Sequence, residues 1–150
     1  VYYNRKPYVH ESPYITGEYS PLYPFGYGLS YTQYTYTNLK LDKKKAVSQE
    51  PLTVTIDVTN TGDRNGDEIV QLYIRDMVSS VTRPVQELKD FKRITLAKGE
   101  TRTVEFTISN DKLQFFNTKM KRVVEPGEFE VMVGKSSTEY LSDKFEVVGF

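Results

Sequence analysis

The 150-residue chain has no cysteine, no tryptophan and a single histidine, His10. The first absence excludes disulfide staples and thiolate metal sites, and leaves the redox compartment open. With no cysteine and one histidine in an irregular stretch, neither a Ser-His-Asp nor a Cys-His nucleophilic set is expected. Excess charge is also lacking: 20 Lys and Arg balance 20 Asp and Glu, so nothing draws the chain generally to nucleic acid or an anionic membrane. No apolar run approaches the ~20 residues of a membrane-spanning helix. The first residues carry neither a basic n-region nor an apolar h-region, so no secretion signal is expected in them.

What the chain does have is tyrosine, concentrated at one end. Ten of its 12 tyrosines precede residue 37, and they run into LYPFGYGLSYT, Leu22 to Thr32. Four of the seven prolines (Pro7, Pro13, Pro21, Pro24) also lie in the first 30 residues, which show neither a 3.6 nor a 2 period. Such a segment reads as extended, non-repetitive backbone. It is too aromatic to lie in water and too rich in Pro and Gly for a helix or an ordinary strand, so it needs a surface. Residues 1–30 are therefore read as a linker and docking strap.

From about Tyr31 the texture changes. Leu52, Val54, Ile56 and Val58 alternate with Thr53, Thr55, Asp57 and Thr59, the pattern of a half-buried strand. Val70, Leu72 and Ile74 repeat it after the turn cluster Asn60–Gly66, and Val104, Phe106 and Ile108 repeat it after Lys98-Gly99-Glu100. Leu88–Leu96 is a less regular strand. Ser109-Asn110-Asp111 caps one helical turn through Leu113. Phe129, Val131 and Val133 follow Pro126-Gly127, and Leu141–Val148 closes the set. About seven strands with frequent turns and almost no helix predict an all-β chain. Residues 31–150 should form a β-sandwich of fibronectin type III or immunoglobulin shape. Asp42-Lys43-Lys44-Lys45 reads as a charged, solvated loop between the first two strands. Each inward Val, Leu, Ile or Phe contributes roughly 1.5–3 kcal/mol when fully buried.

The candidates for chemistry are weak. Asp63, Asn65 and Asp67 have the spacing that opens an EF-hand loop, but Glu68 stands where Gly is required and Ile74 where the twelfth-position Glu belongs. The stretch reads as a hairpin loop, and no metal is expected. Glu128 and Glu130 share a strand face, as a glycosidase pair could. That face is opposite Phe129 and Val131, so it should be solvated, without the raised pKa of a general acid. No catalytic residue is assigned. The tyrosines suit either a carbohydrate platform or a protein interface. The absence of Trp and the interleaved prolines favour a strap laid over a neighbouring domain.

Four ordered blocks then carry a resemblance: LYPFGYGLSYT, VTNTGDRNGDEIVQLYIRD (Val58–Asp76), SSVTRPVQELKDFKRITLAKGETRTVEFTI (Ser79–Ile108) and VVEPGEFEVMVGKSS (Val123–Ser137). They closely resemble the C-terminal region of glycoside hydrolase family 3 β-glucosidases and their β-xylosidase relatives. The resemblance implies a fibronectin type III-like domain following a TIM-like barrel and an α/β sandwich. The family's nucleophilic Asp and acid/base Glu lie in those upstream domains, and neither maps onto a residue here. Residues 1–21 match only loosely, as the end of the α/β sandwich and the linker. The parent so implied is a retaining, exo-acting, cofactor-free β-glucosidase that meets oligosaccharide through its other domains, with a periplasmic or secreted location.

The expected role is thus a non-catalytic structural and interdomain module, partnered by the upstream catalytic domains of the same polypeptide and by neither nucleic acid nor membrane. The competing expectations are a stand-alone carbohydrate-binding or adhesion module, and a chain that hydrolyses glycosides unaided. Interdomain or substrate-rim contact is expected from Tyr23, Phe25, Tyr27, Leu29 and Tyr31 in the strap, and from Arg83 in the loop Met77–Pro84.

Overall fold

The computed structural model describes residues 23–47, 50–77, 86–116 and 118–148. In chain order the elements are β1 (Tyr34–Leu41), β2 (Lys45–Val47), β3 (Leu52–Asn60), β4 (Gly66–Asp76), β5 (Glu87–Leu96), β6 (Thr101–Ile108), the single turn α1 (Asn110–Leu113), β7 (Phe115–Phe116), β8 (Arg122–Val123), β9 (Gly127–Gly134) and β10 (Tyr140–Val148). The seven expected strands are the seven of eight residues or more; three short ones add to them.

Two sheets face each other, one in the order β1-β3-β6 and one in the order β2-β10-β9-β4-β5. The strictly alternating β3 buries Leu52, Val54, Ile56 and Val58 against Val70, Leu72, Val131, Val133, Phe129 and Phe145 of the opposite sheet. Phe129 and Phe145 are cross-strand partners whose rings stack with centroids 5.6 Å apart. This is the all-β sandwich the alternation predicts, and its centre is apolar from both sides.

Two irregularities shape the edge nearest the strap. In β1, Asn38 and Leu39 are inserted opposite Ile56, and Asn38 takes a left-handed φ of 54° that Asn tolerates better than most residues. The extra residue switches parity, so that Tyr34 and Tyr36 before it and Leu39 and Leu41 after it all pack on the core. The chain then changes sheets, and β2 pairs in parallel with β10, covering what would be an open edge. Lys45 thus opens a strand instead of ending a loop, and its ammonium pairs with Glu146 at 3.1 Å. In α1, Ser109 is the N-cap by backbone geometry, but its hydroxyl bonds the Asp111 carboxylate and caps no amide.

A third layer departs from the simple sandwich. Tyr73 and Met132 point away from the core, on the outer face of the five-stranded sheet, yet both are buried. An outward-facing pair of that size needs a cover, and the strap supplies part of it.

Candidate docking surface at one end of the sandwich

The surface is built where β3 runs into β4 and β9 into β10. Asn60, fully buried at the end of β3, organises this corner. Its Oδ1 accepts from the Thr32 hydroxyl at 2.9 Å and from Gly62 N at 3.1 Å; its Nδ2 donates to Arg64 O at 2.8 Å and Leu96 O at 3.2 Å. All four bonding positions of the amide are thereby used. Thr61 N donates to Gln33 O at 2.8 Å, tying the base of the strap to the same corner. Gly62 is required there, since a Cβ would lie 1.9 Å from Thr32 Oγ1 and 2.8 Å from the backbone N of Gln33.

Gln71 does the same for the strap's tip. Its Nε2 donates to Gly26 O at 2.9 Å and to Lys135 O at 2.8 Å, while its Oε1 accepts from the Tyr73 hydroxyl at 2.5 Å. Phe25 O accepts from Ser137 N at 2.9 Å, and the Phe25 ring meets Tyr73 edge-on with centroids 6.4 Å apart. The strap is not wholly extended, as its prolines suggest. Tyr27 N donates to Pro24 O at 3.0 Å across a turn in which Gly26 has φ 78°, the arrangement of a type II turn. A Cβ on Gly26 would lie 2.1 Å from Gln71 Oε1.

The strap residues singled out by sequence divide accordingly. Phe25 rests on Tyr73 and is 36% exposed, while Tyr23 and Tyr27 pack on each other with ring centroids 5.2 Å apart. Leu29 and Tyr31 are 90% and 92% exposed. Arg83, with most of the loop Met77–Pro84, lies outside the described residues, as do His10 and residues 1–22. Sequence reasoning missed Asn60, Gln71, Tyr73 and Met132. A signal for the last two was present: Val70–Ile74 and Val131–Val133 are nearly unbroken apolar runs, the mark of strands covered on both faces.

Beneath the strap a cavity of about 610 Å³ reaches Glu68 and Tyr34. Glu68 is buried and accepts from the Tyr36 hydroxyl at 2.7 Å. Desolvation raises its pKa above the usual carboxylate range, although the Tyr36 hydrogen bond opposes that. Burial, with Glu68 nearby, pushes the Tyr36 phenol up as well. The neighbouring Asp67 is held low, first by the Thr95 hydroxyl at 2.6 Å and then by Arg93. Glu128, half-exposed, accepts from Lys144 at 2.5 Å. Among the described residues no three His, Asp or Glu side chains come together as metal ligands, and no helix is long and apolar enough to cross a membrane.

Comparison with known proteins agrees with this architecture. Residues 68–137 match the fibronectin type III-like domain family. A periplasmic β-glucosidase of Salmonella typhimurium is 41% identical over 98% of the chain, which spans 19% of that protein. A β-xylosidase of Formosa agariphila is 51% identical over 79% of the chain, covering 16% of the enzyme. The solved β-glucosidase of Erythrobacter marinus superposes with a TM-score of 0.89 at 36% identity, over 99% of this chain and 20% of its own. The chain thus spans about a fifth of the length of the relatives it matches, and its sandwich is a fibronectin type III-like domain of the kind shared with β-glucosidases and β-xylosidases.

Proposed function

We propose that this chain is the non-catalytic C-terminal module of a glycoside hydrolase family 3 enzyme, a retaining exo-acting β-glucosidase that removes terminal non-reducing glucosyl residues without a cofactor. Residues 1–30 are the strap leaving a preceding α/β sandwich domain, and residues 31–150 are the fibronectin type III-like domain. Its partners are the catalytic domains of its own polypeptide, and substrate is met only through them. A periplasmic or secreted location fits, since one relative is a periplasmic β-glucosidase.

One observation carries this reading. The strap backbone is pinned to the domain at Phe25, Gly26 and Gln33, while Leu29 and Tyr31 between and beside those points turn outward almost fully exposed. An ordered backbone that presents a large aliphatic and a large aromatic side chain to water fits a face made for a second surface. The test compares two polypeptides: the 150-residue chain and a longer one that includes the preceding domains. The longer one is expected to hydrolyse nitrophenyl β-glucoside and the chain alone to show no turnover. Leu29→Asp with Tyr31→Asp should lower the thermal stability and activity of the longer polypeptide and leave the melting of the chain alone unchanged. Turnover by the chain alone, or an undisturbed longer double variant, would refute the reading.

A further inference from the structure

We propose that the cavity beneath the strap, with Glu68 on its wall, receives a basic side chain (arginine or lysine) from the neighbouring domain that packs on the strap. The proposal rests on the docking reading above and names the chemistry of the partner at one point of that interface.

The argument is an accounting of charge and hydrogen-bonding capacity. Two other ionised side chains of the cavity wall, Asp67 and Lys135, are already paired. Asp67 is held by Arg93 and Thr95, and Lys135 pairs with Glu139 at 2.6 Å. Glu68 has no ion-pair partner among the described residues: Lys135 acts on it through space, opposed by Glu139, without pairing with it, one oxygen accepts from Tyr36, and the other has no hydrogen-bond partner. Tyr34 also lines the cavity; its buried hydroxyl makes no hydrogen bond of ordinary geometry, although Ser30, on the same wall, lies close enough to lower its pKa. That hydroxyl sits against Gly66, where a Cβ would come within 2.7 Å of it. Gln71 and Thr32, the other buried polar side chains of the wall, are engaged, Gln71 through both donors and its oxygen and Thr32 through its hydroxyl to Asn60.

What remains unspent among the buried groups of the wall is therefore a carboxylate oxygen and a phenol oxygen, both able to accept. A group with several N–H donors and a positive charge satisfies both. A buried carboxylate without a counter-charge is costly, and a cavity of about 610 Å³ has room for a guanidinium or ammonium with its stem. Leu29 and Ser30 line the same cavity, so a surface that covers the exposed strap also faces the cavity's contents.

The test uses Glu68→Gln, which keeps an acceptor for the Tyr36 hydroxyl while removing the charge. In the 150-residue chain at pH 7.5 the variant is expected to melt at the same temperature as the parent or higher, because an uncompensated buried charge has gone. In the longer polypeptide with its preceding domains it is expected to melt lower, because a cation has lost its partner. A change of the same sign in both polypeptides would overturn the proposal. If Leu29→Asp with Tyr31→Asp disturbs the longer polypeptide but Glu68→Gln shows no such reversal, the cavity inference fails while the docking reading stands. A direct probe separates a rival occupant: N-acetyl-arginine methylamide at millimolar concentration should shift the amide resonances of Glu68 and Gln71 in the chain and not in Glu68→Gln. Equal shifts in both, or shifts with methyl β-glucoside in its place, would exclude a cation receptor.

Discussion

The Tyr73 hydroxyl donates to Gln71 Oε1 at 2.5 Å across the outer face of β4, and this contact orients the amide that holds the strap. With its oxygen so engaged, the Gln71 nitrogen is turned toward Gly26 O and Lys135 O, which belong to the strap and to the β9–β10 hairpin. One side chain thereby joins three segments distant in sequence.

Gln71→Leu should release the strap without unfolding the sandwich. It orphans the Tyr73 hydroxyl and two backbone carbonyls, at a cost of about 1–3 kcal/mol. Urea unfolding would give the loss, and amide exchange should rise at Tyr27 and Ser137 while β3 stays protected. Gly26→Ala should mimic it, because φ 78° disfavours any Cβ and the new methyl would collide with Gln71.

Asn60→Ala removes four hydrogen bonds from a fully buried corner. A loss of roughly 2–3 kcal/mol is expected, since the buried Leu96 carbonyl and Thr32 hydroxyl lose partners. Chemical denaturation of the variant checks this. A loss under half a kcal/mol would mean that the corner is held by other contacts.

Leu29→Ala, in contrast, should change the stability of the 150-residue chain by no more than about 0.5 kcal/mol, because the side chain is 90% exposed. Leu29 is one of the strap residues expected to contact a neighbouring domain, and in this chain its side chain faces outward. Phe129→Ala in the core should cost about 3–5 kcal/mol. Parallel melts of the two variants make the contrast direct.

The pH dependence should contain two opposing contributions. Glu68 titrates above its unfolded value because burial disfavours the charged form. The folded state therefore binds this proton more tightly, and the contribution is present in full below the unfolded pKa and lost as pH rises through the folded one. Asp57, lowered first by the Thr103 hydroxyl at 2.6 Å and then by Asn38, works the other way: its contribution is present above the unfolded pKa and lost as pH falls. Glu68→Gln should abolish the first component alone. Comparing stability from pH 4 to 8 in the two proteins tests the sign.

Most of the sandwich was legible because strand alternation reports burial directly. Thr and Asp between Val and Ile in β3 can face only outward, and the observed burial follows that pattern residue by residue. The strap was legible as an aromatic, turn-rich segment apart from the strands, but not in its anchoring. Nothing in LYPFGYGLSYT states that its Phe and Gly would be held by Gln71 and Ser137, 45 residues or more away. The parity switch in β1 was also hidden, because one inserted residue leaves Tyr34, Tyr36, Leu39 and Leu41 looking out of phase until a partner strand defines the faces.

Local chemistry in the chain alone determined the all-β class, the inward faces and the turns at Gly and Asn, because each depends on the backbone preference or polarity of a residue and its near neighbours. Tertiary structure alone decided that Tyr73 and Met132 are covered on the outer face, that Asn60 has all four of its amide bonding positions used and Gln71 three, and that Glu68 is a buried carboxylate with no ion-pair partner among the described residues. Those outcomes depend on which segments approach across the sheets, and hydrogen-bond partners and desolvation exist only once they have met.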